Sequence, residues 1–187
     1  KNAENDLYVC RTVTNNQGGS LAVTVRDSQS IKEGRLRLSE SELNFEKKIA
    51  IRIRPGESFG EENVKTNFSS SKNLFFSQSN QSIQELYMGS RINIFEGLSM
   101  GVAECLALNR PFLILNYNSY IDLRSSRLNH LFNQLKNLNI VHDNIETLNK
   151  MLTNDYVDLF YSSEFQKEII RISETYFPVK GNYLKDL

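Results

Sequence analysis

Apolar and polar residues are distributed differently on the two sides of residue 49. Residues 1–48 are mostly polar, with two short β-like runs at 7–13 and 21–25 around an Asn- and Gly-rich turn. This pattern predicts a hairpin or a strand–loop–strand. The sequence Ser39-x-x-Glu42 predicts a capping box that opens a short helix up to residue 48. We treat this part as an N-terminal segment that holds either strands or a linker.

Residues 49–187 form the more regular part of the chain. Short apolar runs predict strands at residues 49–54, 74–76, 92–95, 112–115 and 140–141. Apolar residues at helical spacing predict helices at residues 82–88, 101–108 and 128–138, a helix capped by Asp143-x-x-Glu146, and a C-terminal helix marked by residues 165–176. Strands that alternate with helices are typical of parallel β-α-β units. The pattern predicts an α/β fold: a Rossmann-like, doubly wound, mostly parallel sheet with helices on both faces.

The composition narrows the class of protein without identifying a function. The chain has 187 residues, with 22 basic and 22 acidic residues, so its formal net charge is zero. That balance argues against a general nucleic-acid binder, which normally carries a basic excess. The hydrophobic fraction of 40% is enough for a core. No apolar run approaches the ~20 residues needed to cross a bilayer.

The two cysteines and the N-terminus give expectations about the setting of the chain. Cys10 and Cys105 do not make a disulfide framework, so a cytoplasmic location is expected. The chain starts at Lys1 in a polar stretch without a signal peptide. Because it also lacks an initiator methionine, we expect a fragment or a processed product.

In a doubly wound sheet, ligands bind beyond the carboxyl ends of the strands, near the first turns of helices. The first candidate site follows the strand at 49–54. Arg52 and Arg54 are two residues apart and therefore project from the same face of that strand. A guanidinium there can hold a phosphate or a carboxylate by paired hydrogen bonds. The alternative is that the arginines are solvated or pair with a surface acid.

The second candidate is the run 96–111, where a strand ends and a helix begins near Gly101. Gly97 and Gly101 let the backbone approach a ligand, and the free N–H groups of a helix start suit a phosphate. Ser99 adds a hydroxyl donor, and Glu104 stands one turn inside the helix, where a carboxylate can accept hydrogen bonds from ribose. The alternative is structural: Ser99 caps the helix, the glycines serve a tight turn, and Glu104 favours the helix dipole.

The third candidate is the polar loop 116–124. Tyr117 or Tyr120 can stack on a base or a sugar, with Asn118 between them, and Arg124 can meet a negative group. A plain polar loop that caps the next helix is the competing interpretation.

Other chemistry finds no support in the sequence. His130 and His142 are not spaced as ligands, and no cluster of His, Cys and Asp accompanies them, so no metal is predicted. The chain has no dinucleotide-binding glycine fingerprint, no P-loop and no nucleophile elbow.

Taken in order, these sequences resemble a known family. The runs 80–95 and 97–111, with Arg52-Ile53-Arg54-Pro55 before them and Leu123-Arg124 after them, resemble the donor-binding, C-terminal domain of GT-B glycosyltransferases. More closely, they resemble bacterial transferases encoded with surface-polysaccharide genes and related to the Kdo transferases of capsule and lipopolysaccharide assembly. The resemblance covers roughly residues 49–177. The chain departs from the family pattern at 99–104, where Ser-Met-Gly-Val-Ala-Glu stands in place of Asn/Ser-Thr-Thr-x-x-Glu.

The resemblance implies the Rossmann-like half of a metal-independent GT-B enzyme. It implies a nucleotide-sugar donor, CMP-Kdo in the specific case, and a glycan or lipid-linked acceptor. The helix start at Gly101 would hold the phosphate and Glu104 the ribose, while Arg54 and Arg124 would lie near the phosphate or a sugar carboxylate. No cofactor is implied. The catalytic base would come from a missing N-terminal partner domain, and the enzyme would work in the cytoplasm, at the inner face of the membrane.

Two alternatives to a transferase stay open on sequence grounds. The lower hydroxyl count around Met100 is compatible with a degenerate, non-catalytic transferase domain that serves assembly of a larger polysaccharide-synthesis protein. A response-regulator-like domain is the weaker alternative, because it requires an acidic cluster at the strand ends that does not follow Ile53 or Phe95.

Overall fold

A six-stranded parallel sheet forms the centre of the fold. The computed structural model describes residues 5–10, 35, 48–52, 73–77, 81–116 and 126–178. The strands are β1 (Asp6–Val9), β2 (Ile49–Arg52), β3 (Leu74–Phe76), β4 (Asn93–Glu96), β5 (Phe112–Leu115) and β6 (Val141–His142). They lie in the order β3-β2-β1-β4-β5-β6, and every neighbouring pair is parallel. The predicted doubly wound α/β fold is confirmed.

Helices connect and cover the strands. The helices are α1 (Ile83–Gly89), α2 (Met100–Ala107), α3 (Ser126–Asn137), α4 (Ile145–Asn149), α5 (Asn154–Phe160) and α6 (Ser163–Tyr176). Arg35, between β1 and β2 in the chain, is also helical. Helix α6 packs against α2, α3 and α5, and α4 packs against β5 and β6. Within the described part of the chain, no helix has the length and apolar character to span a membrane.

Burial on both sides explains the composition of the strands. Every residue of β2, β4 and β5 is buried. Parallel strands covered on both faces have continuous apolar runs instead of the alternation seen in half-exposed strands. The Phe-Leu-Ile-Leu sequence of β5 is of this kind. The polar exceptions are Asn93 at the amino end of β4, and Arg52 and Glu96 at carboxyl ends, where the candidate site lies.

Strand β1 lies in the middle of the sheet, between β2 and β4. Residues on both sides of position 49 therefore contribute strands to one sheet, in agreement with the alternative that the N-terminal segment supplies its first strands. The boundary between the predicted segments stays a prediction. The other elements expected before residue 48 lie outside the described residues.

The predicted elements agree with the observed ones in type, and most ends differ by one or two residues. The strands at 74–76 and 112–115 are confirmed as predicted, whereas the strand predicted at 7–13 ends at Val9. The cap of α4 lies one residue later than the sequence predicts: the Asn144 side chain, and not Asp143, accepts from the Thr147 N–H at 2.9 Å. The reason is that Ile145 enters the core as the first residue of the helix.

Helix α5 is not among the predicted elements, although it carries a helix signal. Its cap is Thr153, whose hydroxyl accepts from the Tyr156 N–H at 3.3 Å. Tyr156 and Phe160 are buried and four residues apart, which is the spacing of one helix face. Seven residues give too little periodicity for a pattern-based prediction.

Two asparagines turn the chain from a helix into the following strand. Asn109 after α2 and Asn139 after α3 have positive φ angles of 49° and 55°. At the end of α2 the Arg110 N–H donates to the Cys105 carbonyl and the Asn109 N–H to the Leu106 carbonyl. This is a Schellman motif, and the same pattern ends α3. Asparagine tolerates this left-handed conformation better than most side chains, which gives Asn109 in the Asn-x-Pro sequence a structural role.

A buried ion pair joins the amino ends of β1 and β4. Arg91 donates from Nε and Nη2 to the two carboxylate oxygens of Asp6, at 2.9 and 2.8 Å. The same guanidinium donates to the Leu152 carbonyl at 3.1 Å and to Asn154 Oδ1 at 3.0 Å. One arginine therefore connects two central strands with the start of α5.

Replacement of Arg91 should destabilise the fold strongly. Arg91→Met leaves the Asp6 carboxylate buried without its counter-charge, and we expect a loss of about 3 kcal/mol in the free energy of unfolding, measured by urea denaturation. Arg171→Met is the matched control, because Arg171 pairs with Glu168 at the surface, where both side chains are about half exposed. The control should cost less than about 1 kcal/mol. Equal losses in the two variants would contradict the structural role of the buried pair.

Candidate functional site

The candidate site lies where the winding of the sheet changes direction. From β1 the chain proceeds through β2 to β3 on one side, and β4, β5 and β6 follow on the other side of β1. In open α/β sheets this switch point leaves a crevice beyond the carboxyl ends of the two central strands. Here those ends are Val9 of β1 and Glu96 of β4, with Arg52 at the end of the neighbouring β2.

The segment after β4 brings the backbone sharply into α2. Gly97 has a positive φ of 83°, which favours glycine, and its N–H donates to the Leu115 carbonyl at 3.1 Å. Ser99 is the N-cap of α2, but its side chain makes no capping hydrogen bond and is exposed. The Val102 N–H donates to the Ser99 carbonyl at 3.1 Å. The first turn thus presents N–H groups and a hydroxyl without a side-chain cap, an arrangement that favours anions.

Gly101 lies inside α2 and has a packing role. A Cβ atom there would lie 2.5 Å from the Tyr87 hydroxyl oxygen and closer still to Cε1 of Phe95. The rings of Tyr87 and Phe95 pack edge to face, with centroids 5.7 Å apart. Glycine at position 101 therefore lets the first turn of α2 approach β4 and α1 closely. This reason for a glycine differs from the structural alternative in the sequence analysis, which was a tight turn.

Glu104 stands one turn further along α2 and is partly exposed. Burial, followed by the charge of Glu104, raises the pKa of Tyr87. Arg52 lies on the same face of the sheet, close enough to Tyr87 to act on that pKa in the opposite direction. The buried Arg52 guanidinium donates to the Gln81 carbonyl at 3.2 Å.

The structure thus brings five of the predicted site residues to one edge of the sheet. They are Arg52, Gly97, Ser99, Gly101 and Glu104. Four others, Arg54, Tyr117, Asn118 and Arg124, lie outside the described residues, and the ligand role of all nine stays a prediction.

A second polar cluster occupies the opposite face of the same edge. The Tyr8 hydroxyl donates to Glu96 Oε1 at 2.8 Å, and Arg35 donates to both carboxylate oxygens of Glu96, at 2.6 and 2.5 Å. All three side chains are buried. Desolvation, followed by the charge of Glu96, raises the pKa of Cys10 beside this pair. The cluster fixes the carboxyl ends of β1 and β4 and neutralises its own charge.

Sequence reasoning missed this cluster. Glu96 carried a signal, because a charged residue at the end of an apolar strand needs a partner when the strand is buried. Nothing in the sequence indicates that the partner is Arg35, which is 61 residues away.

The histidines and cysteines have local partners or none. His130 Nδ1 contacts the Tyr176 hydroxyl between α3 and α6. His142 is buried at the end of β6, where desolvation lowers its pKa against smaller opposing effects of Asn139 and Asp143, and its Nε2 has no partner in the described structure. Cys10 and Cys105 are buried free thiols. In the described part of the chain no group of three or more His, Cys, Asp or Glu side chains is placed to hold a metal ion.

The strand order and the helix that starts at the switch point define the class: a Rossmann-like α/β domain. The family model of the LIC12162 family transferases matches residues 37–159, about two thirds of the chain. The chain therefore belongs to the LIC12162 family of transferases. Comparison with curated proteins and with solved structures gave no match. The resemblance to a transferase family is confirmed at this level.

Glu96→Gln should destabilise the fold, because it leaves the buried Arg35 guanidinium without a counter-charge. We expect a loss of about 3 kcal/mol in the free energy of unfolding by urea denaturation. Glu168→Gln is the matched control at the exposed pair with Arg171, and should cost less than about 1 kcal/mol. A cost for Glu96→Gln as small as that of the control would show that the cluster does not hold β1 to β4.

The lowered pKa of His142 predicts a pH-dependent stability. Between the unfolded-state pKa of about 6.5 and the lower folded-state pKa, the unfolded chain binds a proton that the folded chain does not. The contribution of His142 to the free energy of unfolding is therefore complete above pH 6.5. It falls as the pH drops, by up to about 1.4 kcal/mol per pH unit for one proton.

The measurement is urea denaturation between pH 5 and pH 8. The native chain should lose more stability on acidification than His142→Gln, which cannot take up this proton. Equal pH slopes for the two proteins would contradict the prediction.

Proposed function

We propose that this transferase uses a nucleotide-sugar donor and that the chain is the donor-binding half of a GT-B glycosyltransferase. The observation that carries the proposal is the uncapped first turn of α2 at the switch point, with Glu104 one turn behind it. A phosphate and a ribose are joined by one ester bond, so a site for both needs an anion-binding group and a carboxylate a few ångströms apart. The first turn of a helix and a residue one turn later meet that requirement.

In the proposed reaction, the donor-binding domain stabilises the leaving nucleotide. When the bond between sugar and phosphate breaks, negative charge builds up on the phosphate oxygens. In the proposed site, the N–H groups of the first turn, the positive end of the α2 dipole and the Ser99 hydroxyl face that position, and the backbone groups do not have to reorganise. Arg54 and Arg124, outside the described residues, are proposed to add positive charge. With these groups the site works without a metal ion.

The donor, the acceptor and the location are proposed from the resemblance of the sequence to bacterial surface-polysaccharide transferases. We propose that the donor is CMP-Kdo or a related nucleotide sugar, and that the acceptor is a glycan or a lipid-linked glycan of a bacterial surface polysaccharide. A partner domain N-terminal to this half supplies the catalytic base. The reaction then takes place in the cytoplasm, at the inner face of the membrane.

Nucleotide binding tests the proposal. Calorimetric titration of the full chain with CMP, UDP, ADP and GDP should show binding of at least one of them. Glu104→Ala should weaken that binding about tenfold, because a hydrogen bond to a charged group contributes roughly 1.5–3 kcal/mol. Glu146→Ala, at an exposed carboxylate in the first turn of α4, is the control and should bind like the native chain.

Absence of binding to all four nucleotides would overturn the proposal and favour a non-catalytic domain. Binding that Glu104→Ala and Glu146→Ala leave equally unchanged would show that the nucleotide binds somewhere other than α2.

A further inference from the structure

Asn116 stands at the carboxyl end of β5, next to the segment that leads into α2. Its N–H donates to the His142 carbonyl at 2.7 Å, which continues the ladder between β5 and β6 by one residue. The preceding residue, Leu115, accepts from the Gly97 N–H at 3.1 Å. A direct hydrogen bond therefore connects the entry to α2 with the chain one residue before Asn116.

The register of the sheet places the Asn116 side chain on the α2 face. Phe95 of β4 is aligned with Ile114 of β5, and aligned residues of parallel strands point to the same face. Side chains alternate along a strand, so Asn116 lies on the same face as Ile114 and Phe95. The Phe95 ring lies directly against Gly101 in the first turn of α2. Asn116 and the start of α2 therefore share one face of the sheet.

The Asn116 amide is buried but makes little use of its hydrogen-bonding capacity. The residue is only 3% exposed. In the part of the chain that the structure describes, its side chain makes one hydrogen bond, from Nδ2 to Asp143 Oδ1 at 3.5 Å. That length is at the outer limit for a hydrogen bond, and an amide has positions for about four. Because buried polar groups normally have partners, this amide is expected to receive one from a ligand.

Asp143 gives this position an accessible side. Its carboxylate is about half exposed, and its second oxygen accepts from Lys136 Nζ at 3.2 Å. The Lys136 side chain is also about half exposed, so the ion pair contributes little stability and holds the carboxylate only weakly. A polar ligand can therefore bind Asp143 and the Asn116 amide together.

We propose that Asn116 and Asp143 form a subsite that binds hydroxyl groups of the transferred sugar, on the β6 side of the α2 start. The inference rests on the proposed nucleotide-sugar donor. Neighbouring strands lie about 4.8 Å apart, so the ends of β5 and β6 are about 5 and 10 Å from the end of β4. A sugar bonded directly to a phosphate at the α2 start is within reach of both side chains.

The chemistry of the pair suits hydroxyl groups and disfavours phosphate. A carboxylate only accepts hydrogen bonds, whereas an amide and a hydroxyl both donate and accept. Neighbouring hydroxyls can therefore donate to Asp143 and exchange hydrogen bonds with Asn116. A phosphate accepts only and is negatively charged, so Asp143 repels it. This difference orients the donor, with its phosphate at α2 and its sugar towards β6.

The test separates the sugar from the nucleotide. The full chain is titrated calorimetrically with CMP, UDP, ADP and GDP, and with CMP-N-acetylneuraminate, UDP-glucose, ADP-glucose and GDP-mannose. Asp143→Asn removes the charge and keeps the shape of the side chain. Asp155→Asn is the matched control, because Asp155 is an exposed aspartate in the first turn of α5. Its neighbour Asn154 contacts Arg91 at the opposite, amino edge of the sheet.

Asp143→Asn should lower the affinity for at least one sugar-linked nucleotide about three- to tenfold, because hydrogen bonds from the sugar to a charged acceptor are lost. It should leave the affinity for the corresponding bare nucleotide unchanged. Asn116→Ala should have the same selective effect, and a merely structural role would instead weaken both ligands equally. Asp155→Asn should bind every ligand like the native chain.

The outcomes keep the two proposals apart. If nucleotides bind and Glu104→Ala weakens them, but Asp143→Asn binds all sugar-linked forms like Asp155→Asn, the sugar subsite is wrong and the nucleotide site stands. If Asp143→Asn weakens the bare and the sugar-linked nucleotide equally, the subsite is also wrong. If no nucleotide binds to the native chain, the proposed function fails and this inference fails with it.

Discussion

The parallel pairing of β1 between β2 and β4 is the constraint on which the rest of the structure depends. β1 has only four residues, yet it joins the two halves of the sheet. A buried arginine–carboxylate pair stands at each end of its contact with β4: Asp6 with Arg91 at the amino end, and Glu96 with Arg35 at the carboxyl end. A one-residue slip would turn the β1 side chains to the other face and separate Asp6 from Arg91. Such pairs cost desolvation energy, but breaking one is far costlier, so they penalise other registers.

At the carboxyl ends of the strands, the two faces of the sheet differ in electrostatic character. On one face the Arg35 guanidinium satisfies the Glu96 carboxylate with two hydrogen bonds, and Tyr8 adds a third. The Glu96 charge is therefore neutralised inside the protein. On the other face, the first turn of α2 has no side-chain cap and Glu104 is partly exposed. A ligand is therefore expected on the α2 face, where polar groups stay accessible, while the buried cluster keeps the strand ends in place.

The sequence was sufficient for the fold class, because four-residue apolar runs and helical spacing are local signals that burial enforces. It was also sufficient to place Gly97 and Ser99 after the end of a strand and Glu104 one turn inside the following helix. It was insufficient for contacts between distant residues. The bond between Arg35 and Glu96 spans 61 positions, and the meeting of Tyr87 with Gly101 depends on how α1 crosses the sheet. Neither has a spacing that a pattern can show, and short elements such as α5 give too few residues for periodicity to emerge.

The neutral net charge makes these local contacts decisive for any anionic substrate. A chain with 22 basic and 22 acidic residues has no net charge that would attract a nucleotide towards it. Beyond a Debye length of about 8 Å, salt screens what little field remains. Attraction must therefore come from groups within a few ångströms of the phosphate, and the first turn of α2 is a fixed dipole that meets this condition. In the proposed site Glu104 brings a negative charge close to that turn, so its orientation matters: a carboxylate turned towards ribose repels the phosphate less than one that lies across the helix start.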